Sequence, residues 1–194
     1  MRQFYAHHPG LRVAVNTLFA GGTVAYPTEA VWGLGCDPNN AAAVEHILRL
    51  KRRHVSKGLI LIAAHKDLFR PLLDSLDAEH LRAIDAGGPG PITWLVPNNG
   101  YAPDWITGGR TSVAIRITAH PVAAALSAGF GGPVVSTSAN PQNLPPARSL
   151  TKVKAYFGAN VHAYAPGVTG SAHKPSEIRD IVTGKTVRSG DSAP

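Results

Sequence analysis

The sequence predicts an α/β fold on a mixed sheet, and three features of the 194 residues predict it. Short apolar runs alternate with helical stripes along the whole chain, the pattern of intermixed strands and helices. Gly and Pro fence most of these runs. No repeat, low-complexity tract or composition shift divides the chain, and "PQNLPPARS" reads as a stiff proline loop, not a linker. One domain over residues 1–194 is therefore expected.

Pro9 precedes the first helix, with Leu11, Val15, Leu18 and Phe19 at helical spacing and Gly21 to close it. "TVAYPT" is a strand stopped by Pro27, with Thr28 at its tip. Gly33 and Gly35 read as turn residues that let the chain leave the sheet. Asp37 to Asn40 offers cap chemistry for a helix from about Ala41, whose stripe is Ala41, Val44, Ile47 and Leu48. Lys51 continues that phase, so it points along the sheet-facing side. "GLILIAA" (58–64) is a continuous apolar run, as in a strand buried on both faces.

Two helical stretches follow, one from Asp67 to Leu76 and one from Asp77 to Gly87-Gly88. "PITWLVP" (91–97) is a strand between prolines. "SVAIRIT" (112–118) alternates, with Val113, Ile115 and Ile117 on one face and Ser112, Ala114, Arg116 and Thr118 on the other. Pro121 suits the first turn of a helix through Ser127. "PVVSTSAN" (133–140) is a strand whose end turns polar, with Ser136 and Ser138 on one face. "SLTKVKAYFG" is a capped helix. "VHAYAP", "SEIRDIV" and "KTVR" are short closing strands, the last two joined at Thr183-Gly184.

Composition narrows the function. A 44% hydrophobic chain with 16% charged residues can bury a core. Nineteen Lys and Arg against 12 Asp and Glu give +7, which serves solubility or an anionic partner such as nucleotide or nucleic acid. The single cysteine, Cys36, excludes an intramolecular disulfide framework. "RQFYAHHPG" carries no signal-peptide core, and no apolar run approaches the roughly 20 residues that span a bilayer. A cytoplasmic protein without membrane contact is expected.

Several motifs fail on spacing. Gly33-x-Gly35 lacks the third glycine of a dinucleotide fingerprint, since position 38 is Pro38. "GKT" at 184–186 would need a glycine where Arg179 stands. Ser149 and Lys152 match S-x-x-K without its companion motifs, and Ser149 serves better as a helix cap. The nine histidines are scattered without metal-ligand spacing, so no protein-ligated metal is expected.

Four polar clusters remain, each at or near the end of an apolar element. They are Thr28-Glu29, "KRRHVSK" (51–57), Arg116 with Ser112, and "STSAN" (136–140); Ser176 and Arg188 can join them. In open α/β sheets ligands collect at such strand ends. Lys51 and Arg53 suit a helix C-terminus on dipole grounds alone. Arg116 lies on a wet sheet face or along a cleft. Ser136, Ser138 and Asn140 serve as turn chemistry or bind phosphate and ribose. Rich in cations and hydroxyls, and without paired carboxylates or an evident nucleophile, the clusters suit polyphosphate stabilisation and substrate positioning.

The segments "YPTEAVWGLGCDP", "LKRRHVSKGLILIAA", "PGPITWLVP", "SVAIRIT", "VVSTSAN" and "KPSEIRD" resemble, in order and spacing, the YrdC/TsaC family of threonylcarbamoyl-AMP synthases. The resemblance runs from about Gly22 to Gly190 and is to the short, single-domain bacterial form. It implies an open, twisted sheet of parallel and antiparallel strands with flanking helices around a positively charged cavity. It implies an enzyme that joins L-threonine, bicarbonate and ATP into threonylcarbamoyl-AMP and pyrophosphate, with Mg2+ accompanying the nucleotide. The product serves modification of the tRNA adenosine next to the anticodon, which brings in tRNA and a downstream threonylcarbamoyl-transferase complex as partners.

By the same resemblance Lys51 and Arg53 are the catalytic residues. Both would also bind ATP, with Lys57, Ser112, Ser136, Ser138, Asn140 and Arg188. Thr28, Arg116 and Ser176 would bind threonine. The chain departs from the family pattern at His54, where proline usually follows K-x-R, at Trp32, usually Tyr or Phe, and at Pro141-Gln142-Asn143, often Leu-Ser-Gly. The rival reading is a non-catalytic module for double-stranded RNA or tRNA. Basic residues not interleaved with aromatics speak against it. Carbamoyl-adenylate chemistry of the hydrogenase-maturation type is a third reading, and it would need further domains.

Overall fold

The computed structural model describes residues 2–172, 174 and 176–189. A short helix, α1 (Arg2–Ala6), precedes α2 (Pro9–Phe19), which Pro9 opens and which buries Leu11, Ala14 and Leu18. The strand β1 (Val24–Pro27) is followed at once by β2 (Trp32–Gly35). Here the turn reading of Gly33 and Gly35 is corrected: both are strand residues, paired with Tyr26 and Val24. Glycine is required at position 35 for space, because a Cβ there would stand 2.3 Å from the Val135 carbonyl oxygen. α3 (Ala41–Lys51) starts on an Asn40 cap whose side chain accepts from the Ala43 N–H, and it stops at Arg52 in the left-handed region.

β3 (Ile60–Ala63) leads through a 3-10 turn (Lys66–Phe69) to α4 (Arg70–Leu73), then to α5 (Ala78–Gly87), capped by Asp77. β4 (Ile92–Pro97), the single-turn α6 (Asp104–Thr107) and β5 (Ser112–Ile117) follow. Pro121 begins α7 (Pro121–Phe130), which runs three residues past the expected Ser127. β6 (Val134–Ser138) and α8 (Leu150–Phe157), capped by Ser149, precede β7 (Ala163–Tyr164), β8 (Glu177–Asp180) and β9 (Thr186–Arg188).

Among the described residues nine strands form one sheet in the order β7-β1-β2-β6-β3-β5-β4-β8-β9. Pairs β1/β7, β3/β5 and β4/β8 are parallel and the others antiparallel, so the sheet is mixed as expected. Alternation sends Leu61, Val113, Ile115 and Val135 into one core with α3, α5 and α8. Ile62 and Val134 point to the opposite face and pack with Leu11, Leu18, Val122 and Leu126 of α2 and α7.

That second face is only partly covered. Ile60 of β3 and Ser136 and Ser138 of β6 share it with Ile62 and Val134, at even spacings along each strand, and they line an open cavity. β7 and β8 lie far apart in the sheet, and from β7 residues 165–172 run as a strap to the cavity, which Ala172 lines. Gly170 N–H donates to the Thr28 carbonyl and Ala172 N–H to the Glu29 carbonyl, which pins this strap along the cavity rim.

Candidate active site

The cavity has a volume of about 810 Å³. The described residues of its wall include seven basic side chains and one carboxylate, Glu29. Strand parity explains the arrangement. Ser112 and Arg116 of β5 face inward because Val113 and Ile115 take the core side. Ser136 and Ser138 do the same on β6. Trp32 and Leu59 supply apolar wall.

Four guanidinium groups form a chain of neighbours. Burial, and then the charges of Arg110 and Arg188, push the Arg53 group below its ordinary value. Burial and Arg116 do the same to Arg188. Such like-charge crowding costs stability unless an anion answers it. Three of the four are partly anchored by main chain. Arg53 Nη2 donates to the Gly58 carbonyl at 3.0 Å, Arg188 Nη2 to the Ser176 carbonyl at 2.9 Å, and Arg110 Nη1 to the Thr107 carbonyl at 3.1 Å. The Nε atoms of Arg53, Arg116 and Arg188 are buried without a hydrogen-bond partner among the described residues.

At the far end of this chain Arg116 Nη2 lies 3.4 Å from Glu29 Oε2. Oε1 of Glu29 accepts from the Thr118 hydroxyl at 2.6 Å, the Ala119 N–H at 3.0 Å and the His120 N–H at 3.3 Å. Burial opposes the charged carboxylate, but Arg116, Thr118 and these main-chain donors hold its pKa below the ordinary range. Thr28 is buried beside it, and its hydroxyl donates to the Val31 carbonyl at 2.7 Å. The Ser176 hydroxyl meets Thr93 Oγ1 at 2.8 Å.

Lys51 and Asn140 stand behind the wall and are not among its lining residues. The Lys51 ammonium donates to the carbonyls of Ser138 and Asn140. Asn140 Nδ2 donates to the Leu144 carbonyl at 2.6 Å, and Gln142 N–H to the Lys51 carbonyl at 2.8 Å. Together they fix the loop after β6. Burial, then Arg53, pulls the Lys51 pKa down to about 7.

A family model for Sua5/YciO/YrdC, described as "Telomere recombination", matches residues 16–190. The chain belongs to this family. A threonylcarbamoyl-AMP synthase of Cellvibrio japonicus is 53% identical over 93% of this chain and 96% of its own. One of Halorhodospira halophila is 52% identical over 92% and 93%. The crystal structure of P. abyssi Sua5 complexed with L-threonine superposes with a TM-score of 0.82 at 29% identity. It covers 88% of this chain, which spans 50% of that longer one. E. coli YciO has a TM-score of 0.81 at 22% identity and shares the fold.

In this member of the Sua5/YciO/YrdC family, Thr28, Arg53, Lys57, Ser112, Arg116, Ser136, Ser138, Ser176 and Arg188 all border the cavity. Pro175 of the "KPSEIRD" segment lies outside the described residues. Sequence reasoning passed over Arg110, Arg148 and Lys174, which sit in loops and share no periodicity with a strand face. Glu29 was visible within a polar cluster, but its link to Arg116 spans 87 residues of chain and left no local signal. Among the described residues no group of three or more His, Cys, Asp or Glu is placed to hold a metal ion, and no helix is long and apolar enough to cross a membrane.

Proposed function

We propose that this chain is an L-threonylcarbamoyladenylate synthase. The observation that carries the reading is the chain of guanidinium groups in the cavity, crowded at one end and closed by Glu29 at the other. The crowded end suits a triphosphate, and the Arg116–Glu29 end suits an amino acid. Relatives of that name, matched over almost their full length, support it.

The chemistry balances without a covalent enzyme intermediate. The threonine amine attacks bicarbonate, a C–N bond forms and water leaves, giving a carbamate. A carbamate oxygen then attacks the α-phosphorus of ATP; that O–P bond forms, the bond to the β-phosphate oxygen breaks, and pyrophosphate departs. Arg53, Lys57 and Arg188 would hold the phosphates, with Ser112, Ser136 and Ser138 along the nucleotide. Arg116 would take the threonine carboxylate, with Thr28 and Ser176 beside the rest of the amino acid. Lys51 and Asn140 would support nucleotide binding by fixing the strand end that carries Ser138.

Magnesium would enter with ATP and neutralise polyphosphate charge. Glu29, the one carboxylate of the described wall, is already engaged by Arg116 and the 118–120 turn. Phosphate oxygens and water are therefore the ligands that fit a hard cation here. The acyl-adenylate product would pass to a transferase complex that modifies the tRNA adenosine next to the anticodon. The whole chain would act as one unit in the cytoplasm, where the free, buried Cys36 suits a reducing environment.

The test is pyrophosphate release from ATP and Mg2+. It should require threonine and bicarbonate together. No release, coupled with tight tRNA binding, would replace this reading with an RNA-binding module.

A further inference from the structure

We infer that Glu29 is a positioning residue for the amino-acid substrate, fixing the Arg116 guanidinium and through it the seat of the threonine carboxylate. The inference rests on the function proposed above. Oε2 of Glu29 is buried and has no hydrogen-bond partner among the described residues, yet it lies 3.4 Å from Arg116 Nη2. A carboxylate oxygen so covered reaches a ligand only through its neighbour.

Arg116 needs this neighbour. Its side chain is 12% exposed, its Nε lacks a partner among the described residues, and its charge lies close enough to perturb Arg188. Arg188 repels the guanidinium and Glu29 attracts it, so the pair of charges sets its direction. Glu29 is itself held firmly. Three donors of the 118–120 turn occupy Oε1, and its main-chain carbonyl accepts from Ala172 in the strap. The carboxylate therefore joins the turn before α7, the strap and the guanidinium in one rigid corner.

Glu29→Gln keeps the shape but turns an amide N–H toward the Arg116 donors. The threonine KM should rise on the order of tenfold while the ATP KM stays within about twofold. Glu29→Asp, which keeps the charge, should recover part of the loss. Thr118→Val removes one of the three donors to Oε1 and leaves the charge; it should lower the melting temperature and raise the threonine KM by less than Glu29→Gln does. Equal threonine KM values in Glu29→Gln and wild type would overturn the inference, as would an ATP KM that rises in step with the threonine KM.

A second readout does not depend on the reaction. The melting shifts of Glu29→Gln and Arg116→Met should fall short of additivity in the double variant, because the two side chains interact directly. Additive shifts would overturn the link. Failure of wild type to bind threonine would count against the proposed function, and the melting cycle would still decide the Glu29–Arg116 relationship.

Discussion

Lys51 and Asn140 are 89 residues apart in sequence, yet the lysine Nζ lies 2.9 Å from the Asn140 carbonyl oxygen. The same nitrogen also donates to the Ser138 carbonyl. A neutral amine has two N–H donors and satisfies both carbonyls, so the strand end remains fixed whether or not Lys51 carries its extra proton.

That arrangement has a pH signature. With a folded pKa of about 7 against an ordinary 10.5, Lys51 is protonated in folded and unfolded chains alike at low pH. Between those values the unfolded chain binds a proton that the folded chain lacks, so this group makes stability rise with pH. The wild-type melting temperature should gain on that of Lys51→Met between pH 7 and pH 9. Parallel curves would contradict the burial argument.

Nucleotide binding should reverse the effect. A polyanion beside Arg53 and Lys51 favours the charged amine, so ATP binding at pH 8 should take up protons. Calorimetry in two buffers of different ionisation enthalpy would read the uptake as a buffer-dependent heat. Lys51→Met should bind with a smaller buffer dependence.

Arg53 separates binding from folding. Its guanidinium is crowded by Arg110 and Arg188, so its removal relieves repulsion. Arg53→Ala should melt no lower than wild type without ligand. It should lose the nucleotide-induced rise in melting temperature, and pyrophosphate release should fall on the order of 10²-fold or more. A variant that unfolds, or that keeps full activity, would contradict the assignment.

Glycine placement gives a test of packing alone. A Cβ on Gly35 would sit 2.3 Å from the Val135 carbonyl oxygen, whereas one on Gly132 would meet nothing nearer than 3.8 Å. Gly35→Ala should destabilise by about 1–3 kcal/mol or more, and Gly132→Ala should stay within about 0.5 kcal/mol. Chemical denaturation of the two variants distinguishes them directly.

These glycines also show what the sequence could and could not reveal. Long apolar runs announced themselves: Ile60–Ala63 and the alternation of Ser112–Ile117 sit in the sheet as their periods require. Trp32–Gly35 did not, because its glycines answer a close approach by Val135 and the Tyr26 ring, contacts made by distant segments. α6 is a single turn and leaves no stripe to detect. On the site, hydroxyls and cations on strand faces were legible from alternation. Arg110 and Lys174 lie on loops, where position follows from tertiary contacts. The phase of Lys51 correctly placed it against the sheet. Its exclusion from the cavity wall came from the carbonyls of Ser138 and Asn140, which are visible only once β6 packs against the end of α3.

The synthase reaction is tested by following the carbon. Purified protein is given ATP, Mg2+, L-threonine and carbon-13 bicarbonate, and the nucleotide products are resolved by mass spectrometry. Threonylcarbamoyl-AMP should carry one heavy carbon, form in equal amount with pyrophosphate, and be lost in Arg53→Ala. Pyrophosphate without the labelled adduct, or no turnover by a protein that binds ATP and threonine, would contradict that reaction.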